Sequence, residues 1–155
     1  MLHNEIINKI KFEITEIERE MESYKLLFEK AKLQKPDLIE MTAIASVLHS
    51  FYNGLENIFL IISKNIDKEV PTDFNWHIKI LNNMTNINAV RTNVISKELA
   101  DNIEDYLAFR HFFRHSYKFK LDWEKLEDLS NNLYVIWERY KNEINIFIDN
   151  FWKNK

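Results

Sequence analysis

Residues 7–31 read Ile-Asn-Lys-Ile-Lys-Phe-Glu-Ile-Thr-Glu-Ile-Glu-Arg-Glu-Met-Glu-Ser-Tyr-Lys-Leu-Leu-Phe-Glu-Lys-Ala. Apolar residues recur in this stretch at alternating spacings of three and four, which is the seam of a long amphipathic helix. No helix breaker occurs before Pro36. The helix is predicted to be either the outer helix of an antiparallel bundle within one chain or half of an intermolecular coiled coil. The seam consists of Ile7, Ile10, Ile14, Ile17, Met21, Tyr24, Phe28 and Ala31.

The composition extends the helical prediction to the whole chain. Of the 155 residues, 46% are hydrophobic, and only one is glycine and two are proline. A chain of this length can bury a sizeable core as one domain. The scarcity of glycine and proline argues against a strand-rich fold, because tight turns favour them. We therefore predict an all-α fold, with residues 1–155 forming a single domain: an antiparallel bundle of four long helices plus one short helix.

Capping and breaking residues divide the chain after the first helix. Proline suits the start of a helix, and serine and aspartate cap one. Gly54 falls inside the second helix, where glycine costs about 1 kcal/mol against alanine, so we expect another helix to approach it closely. The predicted segments are a second helix from Pro36-Asp37, a loop over 65–75, a short helix over 76–84, a fourth helix from Ser96 to about Tyr117 and a last helix from Asp122.

Several functional classes are disfavoured by charge and composition. The net charge of −3 argues against a broadly basic surface, so any contact with nucleic acid has to be local or shared between subunits. The absence of cysteine excludes disulfide frameworks and thiolate metal sites. The first residues lack the pattern of a signal peptide, and the apolar run at 58–62 is too short to span a bilayer. We expect a cytoplasmic protein without a membrane segment.

Residues 110–117 are the stretch in which chemistry outweighs packing. They read Arg-His-Phe-Phe-Arg-His-Ser-Tyr, and Lys118 and Lys120 follow with no acidic residue in between. Binding and cleaving a phosphodiester would require a compact cationic cluster with imidazoles of this kind. The simpler alternatives are a histidine facing the helix macrodipole at His115, a core tyrosine at Tyr117 and a solvated edge at the lysines.

Arg110 falls where the stripe of the fourth helix requires an apolar residue. A buried arginine needs compensation, so we expect an acidic partner, a dimer cleft or an anionic ligand beside it. Arg110 and His115 lie about 140° apart around an ideal helix and would line a wide groove rather than converge on one small ligand. An isologous dimer would join two weak basic patches into one. The stripe consists of Leu99, Ile103, Tyr106, Arg110, Phe113 and Tyr117.

A polar stripe runs along the second helix. Core-facing polar groups are usually hydrogen-bonded structural residues. The alternative is that Glu56 faces Arg110 and orients it. The stripe consists of His49, Asn53 and Glu56.

Arg110-x4-His115-x-Tyr117 resembles the R-x4-H-x-Y signature of HepT toxins, within the HEPN ribonuclease superfamily. Further segments also resemble one HepT-like branch, and together they cover most of the chain from residue 44 to residue 125. The first helix matches only in character. The segments are Leu-His-Ser-Phe-Tyr-Asn-Gly-Leu-Glu-Asn-Ile at 48–58, Trp76-His77, and Tyr-Leu-Ala-Phe-Arg-His-Phe-Phe-Arg-His at 106–115.

The resemblance implies a HEPN-like bundle and a metal-independent endoribonuclease without a cofactor, active as a homodimer with the motif in the cleft between subunits. It also implies the toxin of a type VII toxin–antitoxin pair. The antitoxin would be an MNT-type nucleotidyltransferase that attaches AMP to the motif tyrosine, here Tyr117. The RNA would be transfer RNA or messenger RNA. In the family, a small polar residue usually follows the motif arginine. Here His111 occupies that position, so the resemblance does not decide which catalytic role belongs to His111 and which to His115.

The same resemblance leads to specific roles for the cationic residues. His115 would move a proton near neutral pH, and His111 is a second acid–base candidate. Arg110 would hold the phosphate and stabilise the charge that develops on its oxygens. Three further cations would position the RNA backbone without reading its sequence. They are Arg114, Lys118 and Lys120.

Two other function classes remain open at this point. A helical adaptor would keep the fold and the dimer and lose the chemistry. A metal-dependent hydrolase would use histidine and carboxylate ligands, and the histidines at 111 and 115 match the spacing of a two-histidine metal face, although no third ligand lies nearby in the sequence. The candidate ligands of such a hydrolase are His49, Glu56, His77 and His111.

Overall fold

α-Helices make up nearly all of the regular structure. The structure is a computed structural model that describes residues 2–117 and 120–153, and it contains no β-strand within those ranges. The all-α prediction, with four long helices and one short one, is confirmed. The helices are α1 (Leu2–Leu33), α2 (Leu38–Ile62), α3 (Trp76–Asn83), α4 (Lys97–His115) and α5 (Trp123–Lys153).

Contacts between the long helices give their directions. Ser50 on α2 donates a hydrogen bond of 2.6 Å to Glu20 on α1. Phe51 on α2 packs against Tyr106 on α4, with ring centres 5.4 Å apart, and the Tyr106 hydroxyl donates to the Leu129 carbonyl of α5 at 2.7 Å. Together with the neighbouring contacts these make α1 antiparallel to α2, α2 to α4, and α4 to α5. The C-terminal end of α4 therefore lies at the same end of the bundle as the N-terminal ends of α2 and α5.

The first helix belongs to this bundle. It packs along α2 and against α5, and six of its residues are buried. Within the chain, α1 therefore packs as a helix of the bundle, which is the first of the two alternatives predicted for its seam. Tyr24 departs from the predicted seam, because 41% of its surface is exposed.

Gly54 lets α1 and α2 approach closely. A Cβ atom at this position would lie 2.6 Å from Cγ1 of Ile17 and 2.7 Å from its Cδ1. Ile17 is itself only 5% exposed, so its side chain has little room to move away. Close packing of α1 against α2 compensates for the low helix propensity of glycine, as predicted from the sequence.

The caps predicted at Ser96 and Asp122 are confirmed, and α2 is capped by Asp37, with Pro36 outside the helix. The Asp37 side chain accepts from the Glu40 amide at 2.8 Å, and the Glu40 side chain accepts from the Asp37 amide, which completes a capping box. Ser96 accepts from the Leu99 amide at 3.1 Å. Asp122 accepts from the Glu124 amide, also at 3.1 Å, at the start of α5.

The segment between α2 and α4 is held by a buried ion pair that was not predicted from the sequence. The helical path of α2 continues through a π-helical turn at Ser63–Asp67, so the predicted loop starts later than residue 65. At the end of this turn Asp67 accepts two hydrogen bonds from Arg91, at 2.7 and 2.8 Å. The remaining guanidinium donors bind the carbonyl groups of Asn83, Asn86 and Thr92. Arg91 thereby ties the irregular connection to the end of α2.

The predicted end of α4 is wrong by two residues. The helix ends at His115, and Ser116 has extended backbone angles, with φ −115° and ψ 154°. Tyr117 therefore does not continue the helical stripe, and 73% of its surface is exposed. The chain has to leave α4 here because α5 begins at Trp123, only a few residues later.

Candidate functional site

Arg110 is placed by the packing of α4 against α2. Its Nε donates a hydrogen bond of 2.6 Å to Oδ1 of Asn53, and the residue is partly buried. Of the compensations expected for this arginine, the acidic partner is not found: within residues 2–117 and 120–153 no carboxylate forms an ion pair with it. An amide holds one edge of the guanidinium without neutralising it. The terminal nitrogens keep the charge and the donors that a phosphate requires.

Glu56 contacts other residues and not Arg110. Its Oε2 accepts from the Tyr52 hydroxyl at 2.9 Å and from Nδ1 of His77 at 2.6 Å. Glu56 is 5% exposed, so this carboxylate is a buried group whose donors come from α2 and α3. The interpretation of the polar stripe as hydrogen-bonded groups fits these contacts, whereas the idea that Glu56 orients Arg110 does not.

Tyr52 reports on the electrostatics of the same region. Burial raises the pKa of its phenol above the usual value, and the neighbouring Glu56 carboxylate raises it further, by its charge and by accepting the hydrogen bond. The charge of Arg110 acts in the opposite direction and lowers this pKa. Tyr52 therefore stays neutral and donates its hydrogen bond to the Glu56 carboxylate.

His49, the first member of the polar stripe, lies beside the Asn53 amide. Its Nδ1 is 3.4 Å from Nδ2 of Asn53, and its ring packs against Phe113 with the ring centres 5.6 Å apart. Asn53 contacts Arg110, and His49 packs against Phe113. These two residues therefore link α2 to the last turns of α4.

We call residues 110–117, with Lys118 and Lys120, the cationic motif. Three of its other predicted site residues lie on the surface at the end of α4. His111, Arg114 and His115 are all exposed. The rings of His111 and His115 are 4.6 Å apart, as their spacing of one helical turn allows. Arg114 and His115 occupy the last turn, where the negative end of the helix macrodipole favours cations. Because α4 stays helical to His115, Arg110 and His115 point in different directions, as the helix geometry predicts.

Tyr117 and Lys120 follow the helix end. The Lys120 amide donates to the Tyr117 carbonyl at 3.1 Å, and its ammonium lies 5.9 Å from the centre of the Tyr117 ring. Both residues are exposed. Lys118, the remaining predicted RNA contact, lies outside the described residues.

The candidate metal ligands do not gather into a metal site in the described part of the chain. No group of three histidine, aspartate or glutamate side chains within residues 2–117 and 120–153 is arranged to hold a metal ion. Glu56 and His77 do meet, but they bond to each other. Within the same described residues, no helix has the length and apolar character to cross a bilayer.

These residues are visible in the sequence, but two of their pairings are not. Asn53 is separated from Arg110 by 57 positions, and Glu56 from His77 by 21. The polar stripe on α2 signalled that Asn53 and Glu56 face inward. Nothing local to either residue indicated which partner it would meet.

The fold and the site define an all-helical bundle that carries an R-x4-H-x-Y motif at the end of a long helix, with the motif arginine held from a neighbouring helix. A family model described as "HepT-like protein" matches residues 43–151, and the chain belongs to this HepT-like family of the HEPN superfamily. No curated protein and no solved structure matches the chain. The resemblance noted from the sequence is confirmed at the level of the family.

Proposed function

We propose that this protein is the toxin of an MNT/HepT-like toxin–antitoxin pair and acts as a metal-independent endoribonuclease. The observation that carries the proposal is Arg110. It occupies a core-facing position of α4, its Nε is held by Asn53 at 2.6 Å, and no described carboxylate neutralises it. An arginine that is oriented and left charged is suited to binding an anion. The scissile phosphate of RNA would supply that anion.

The exposed imidazoles supply the proton transfers. His115 and His111 lie on the surface at the helix end, where both imidazoles are exposed. Attack of the RNA 2′-hydroxyl on phosphorus needs a base at that hydroxyl and an acid at the departing 5′-oxygen. Arg110 stabilises the charge that gathers on the phosphate oxygens during attack. Arg114, Lys118 and Lys120 attract the backbone on either side.

Two copies of the chain form the working site. Each copy has a net charge of −3, so a single cationic segment is a weak attractant for RNA. Arg110 and His115 also point in different directions on one helix. An isologous dimer that pairs the two helix ends brings cations and imidazoles from both copies to one groove.

Removing His115 is expected to slow RNA cleavage about 10²–10⁴-fold, the usual contribution of a general acid or base. The measurement is cleavage of total RNA by purified protein in EDTA, comparing the parent with His115→Ala. His3→Ala is the matched control, because it removes an exposed histidine from the far end of the bundle. Parent-rate cleavage by His115→Ala, in a preparation free of contaminating nuclease, would remove this assignment.

The partner in this proposal is an MNT-type nucleotidyltransferase that transfers AMP to Tyr117. The side chain is 73% exposed on an extended segment beyond the helix, so an enzyme can reach it. AMP at this position would place an anion beside the cationic residues and reduce their attraction for RNA.

Intact-protein mass tests the modification directly. Coexpression with the nucleotidyltransferase is expected to add the mass of one or more AMP groups to the parent and to relieve growth arrest. Tyr117→Phe is expected to gain no AMP. Tyr24→Phe, which removes another exposed hydroxyl, should be modified like the parent. AMP retained on Tyr117→Phe would place the modification elsewhere.

A further inference from the structure

His77 has the geometry of a histidine prepared for proton transfer. Its Nδ1 lies 2.6 Å from Oε2 of Glu56, which also accepts from the buried hydroxyl of Tyr52. Glu56 can accept from the ring only if Nδ1 carries the proton. In the neutral ring this leaves Nε2 as the acceptor. A carboxylate that fixes the tautomer and orientation of a histidine is a recurrent feature of general bases.

The imidazole ring of His77 is also held by an aromatic neighbour. The indole of Trp76 lies against it, with ring centres 3.6 Å apart and an angle of 30° between the planes. The His77 side chain nevertheless keeps 24% of its surface exposed. Within residues 2–117 and 120–153, no group forms a hydrogen bond with its Nε2. The orienting contacts therefore leave the accepting nitrogen open.

His77 and Arg110 are held by adjacent turns of α2. Asn53 binds the arginine and Glu56 binds the histidine, and residues three apart on a helix have Cβ atoms about 5–6 Å apart. α3, which carries His77, packs against both α2 and α4. The effect of the Arg110 charge on Tyr52, which hydrogen-bonds the same carboxylate, agrees with this proximity.

We infer that His77, oriented by Glu56, is a catalytic base for cleavage of the phosphodiester that Arg110 binds. This inference rests on the proposed function and changes it at one point: His77 takes the base role given above to the exposed imidazoles, and His115 keeps the acid role. Nε2 of His77 takes the proton of the RNA 2′-hydroxyl as its oxygen forms a bond to phosphorus. The bond from phosphorus to the 5′-oxygen breaks, and that oxygen takes a proton from His115 of the other copy in the proposed dimer. The products are a 2′,3′-cyclic phosphate and a 5′-hydroxyl.

The substitution that separates this role from a structural one is His77→Asn. Asparagine keeps an N–H donor close to the position of Nδ1, so Glu56 stays paired, while the ring nitrogen that accepts the proton is lost. The melting temperature and RNA binding are expected to match the parent. Cleavage is expected to fall about 10²–10⁴-fold. His3→Asn is the control for loss of a histidine elsewhere.

A substrate with sulfur in place of the bridging 5′-oxygen distinguishes base from acid, because a thiolate leaves without a proton. His115→Ala is expected to regain rate on it, whereas His77→Asn is expected to stay slow. Parent-rate cleavage by His77→Asn, or its rescue by the sulfur substrate, would overturn the base assignment and leave the ribonuclease proposal standing. A parent protein that cleaves no RNA and arrests no growth would instead remove the ribonuclease proposal, and this inference with it.

Discussion

Arg110→Ala is expected to lower the rate of RNA cleavage by about 10²–10³-fold or more, the loss found when a donor to transition-state charge is removed. The substitution removes a guanidinium that is oriented by Asn53 and that no described carboxylate neutralises. It should leave the fold intact, because the residue is only partly buried and its described hydrogen bond is to a neutral amide. The measurements are cleavage of RNA in EDTA, growth after induction and circular dichroism.

Two control variants make this experiment specific. Arg19→Ala removes the same charge from an exposed position on α1, where the arginine pairs with Glu16, and is expected to cleave like the parent. Arg110→Lys keeps the charge and loses the planar donor set, so it should recover only a minor part of the rate. Equal loss in Arg19→Ala and Arg110→Ala would mean that net charge, and not this guanidinium, is responsible.

Mixing two inactive variants tests whether the site draws on both copies. If Arg110 of one copy acts with His115 of the other, Arg110→Ala and His115→Ala proteins should regain cleavage when they are refolded together. If each site were built within one copy, the mixed variants would regain no RNA cleavage. Mixed oligomers that stay inactive would contradict the dimer-cleft arrangement.

Asp67→Ala is expected to cost about 3–5 kcal/mol of unfolding free energy, the range for breaking one side of a buried ion pair. The Arg91 side chain is 1% exposed and that of Asp67 is 11% exposed, so removal of the carboxylate leaves a buried guanidinium without its counter-charge. For a chain of this length each kcal/mol lowers Tm by about 2–4 °C. Urea unfolding followed by circular dichroism measures the change.

Asp73→Ala is the comparison for this prediction. Asp73 pairs with Lys79, and both side chains are nearly half exposed, so this ion pair should contribute little. The hydrogen bond to Lys79 holds the pKa of Asp73 below its usual value, but solvent screens that interaction. A similar loss of stability in both variants would contradict the argument from burial.

Most of the fold was predictable because its determinants are local. The apolar periodicity of α1 and α5 indicates which side of each helix is buried. The capping groups at Asp37, Ser96 and Asp122 act within three residues of themselves. The end of α4 was predicted less well. Ser116 leaves the helix to reach the start of α5, and that position depends on how the two helices pack.

The cationic motif could be recognised from the sequence because its residues are contiguous and lack acidic neighbours. The pairings around it could not. Asn53 meets Arg110 across 57 residues, Glu56 meets His77 across 21, and Asp67 meets Arg91 across 24. In each case the sequence shows a polar or charged residue but does not show which distant residue it binds.

The order of the amino acids alone was enough to establish a helical chain, the buried side of its long helices and the family to which it belongs. Side-chain periodicity and capping depend on neighbours three or four positions away, so they can be inferred without a structure. The partners of Arg110, Glu56 and Arg91 became known only when the helices were packed together. Hydrogen bonds and ion pairs act over a few ångströms in space, and the packing of the core determines which distant residues come that close.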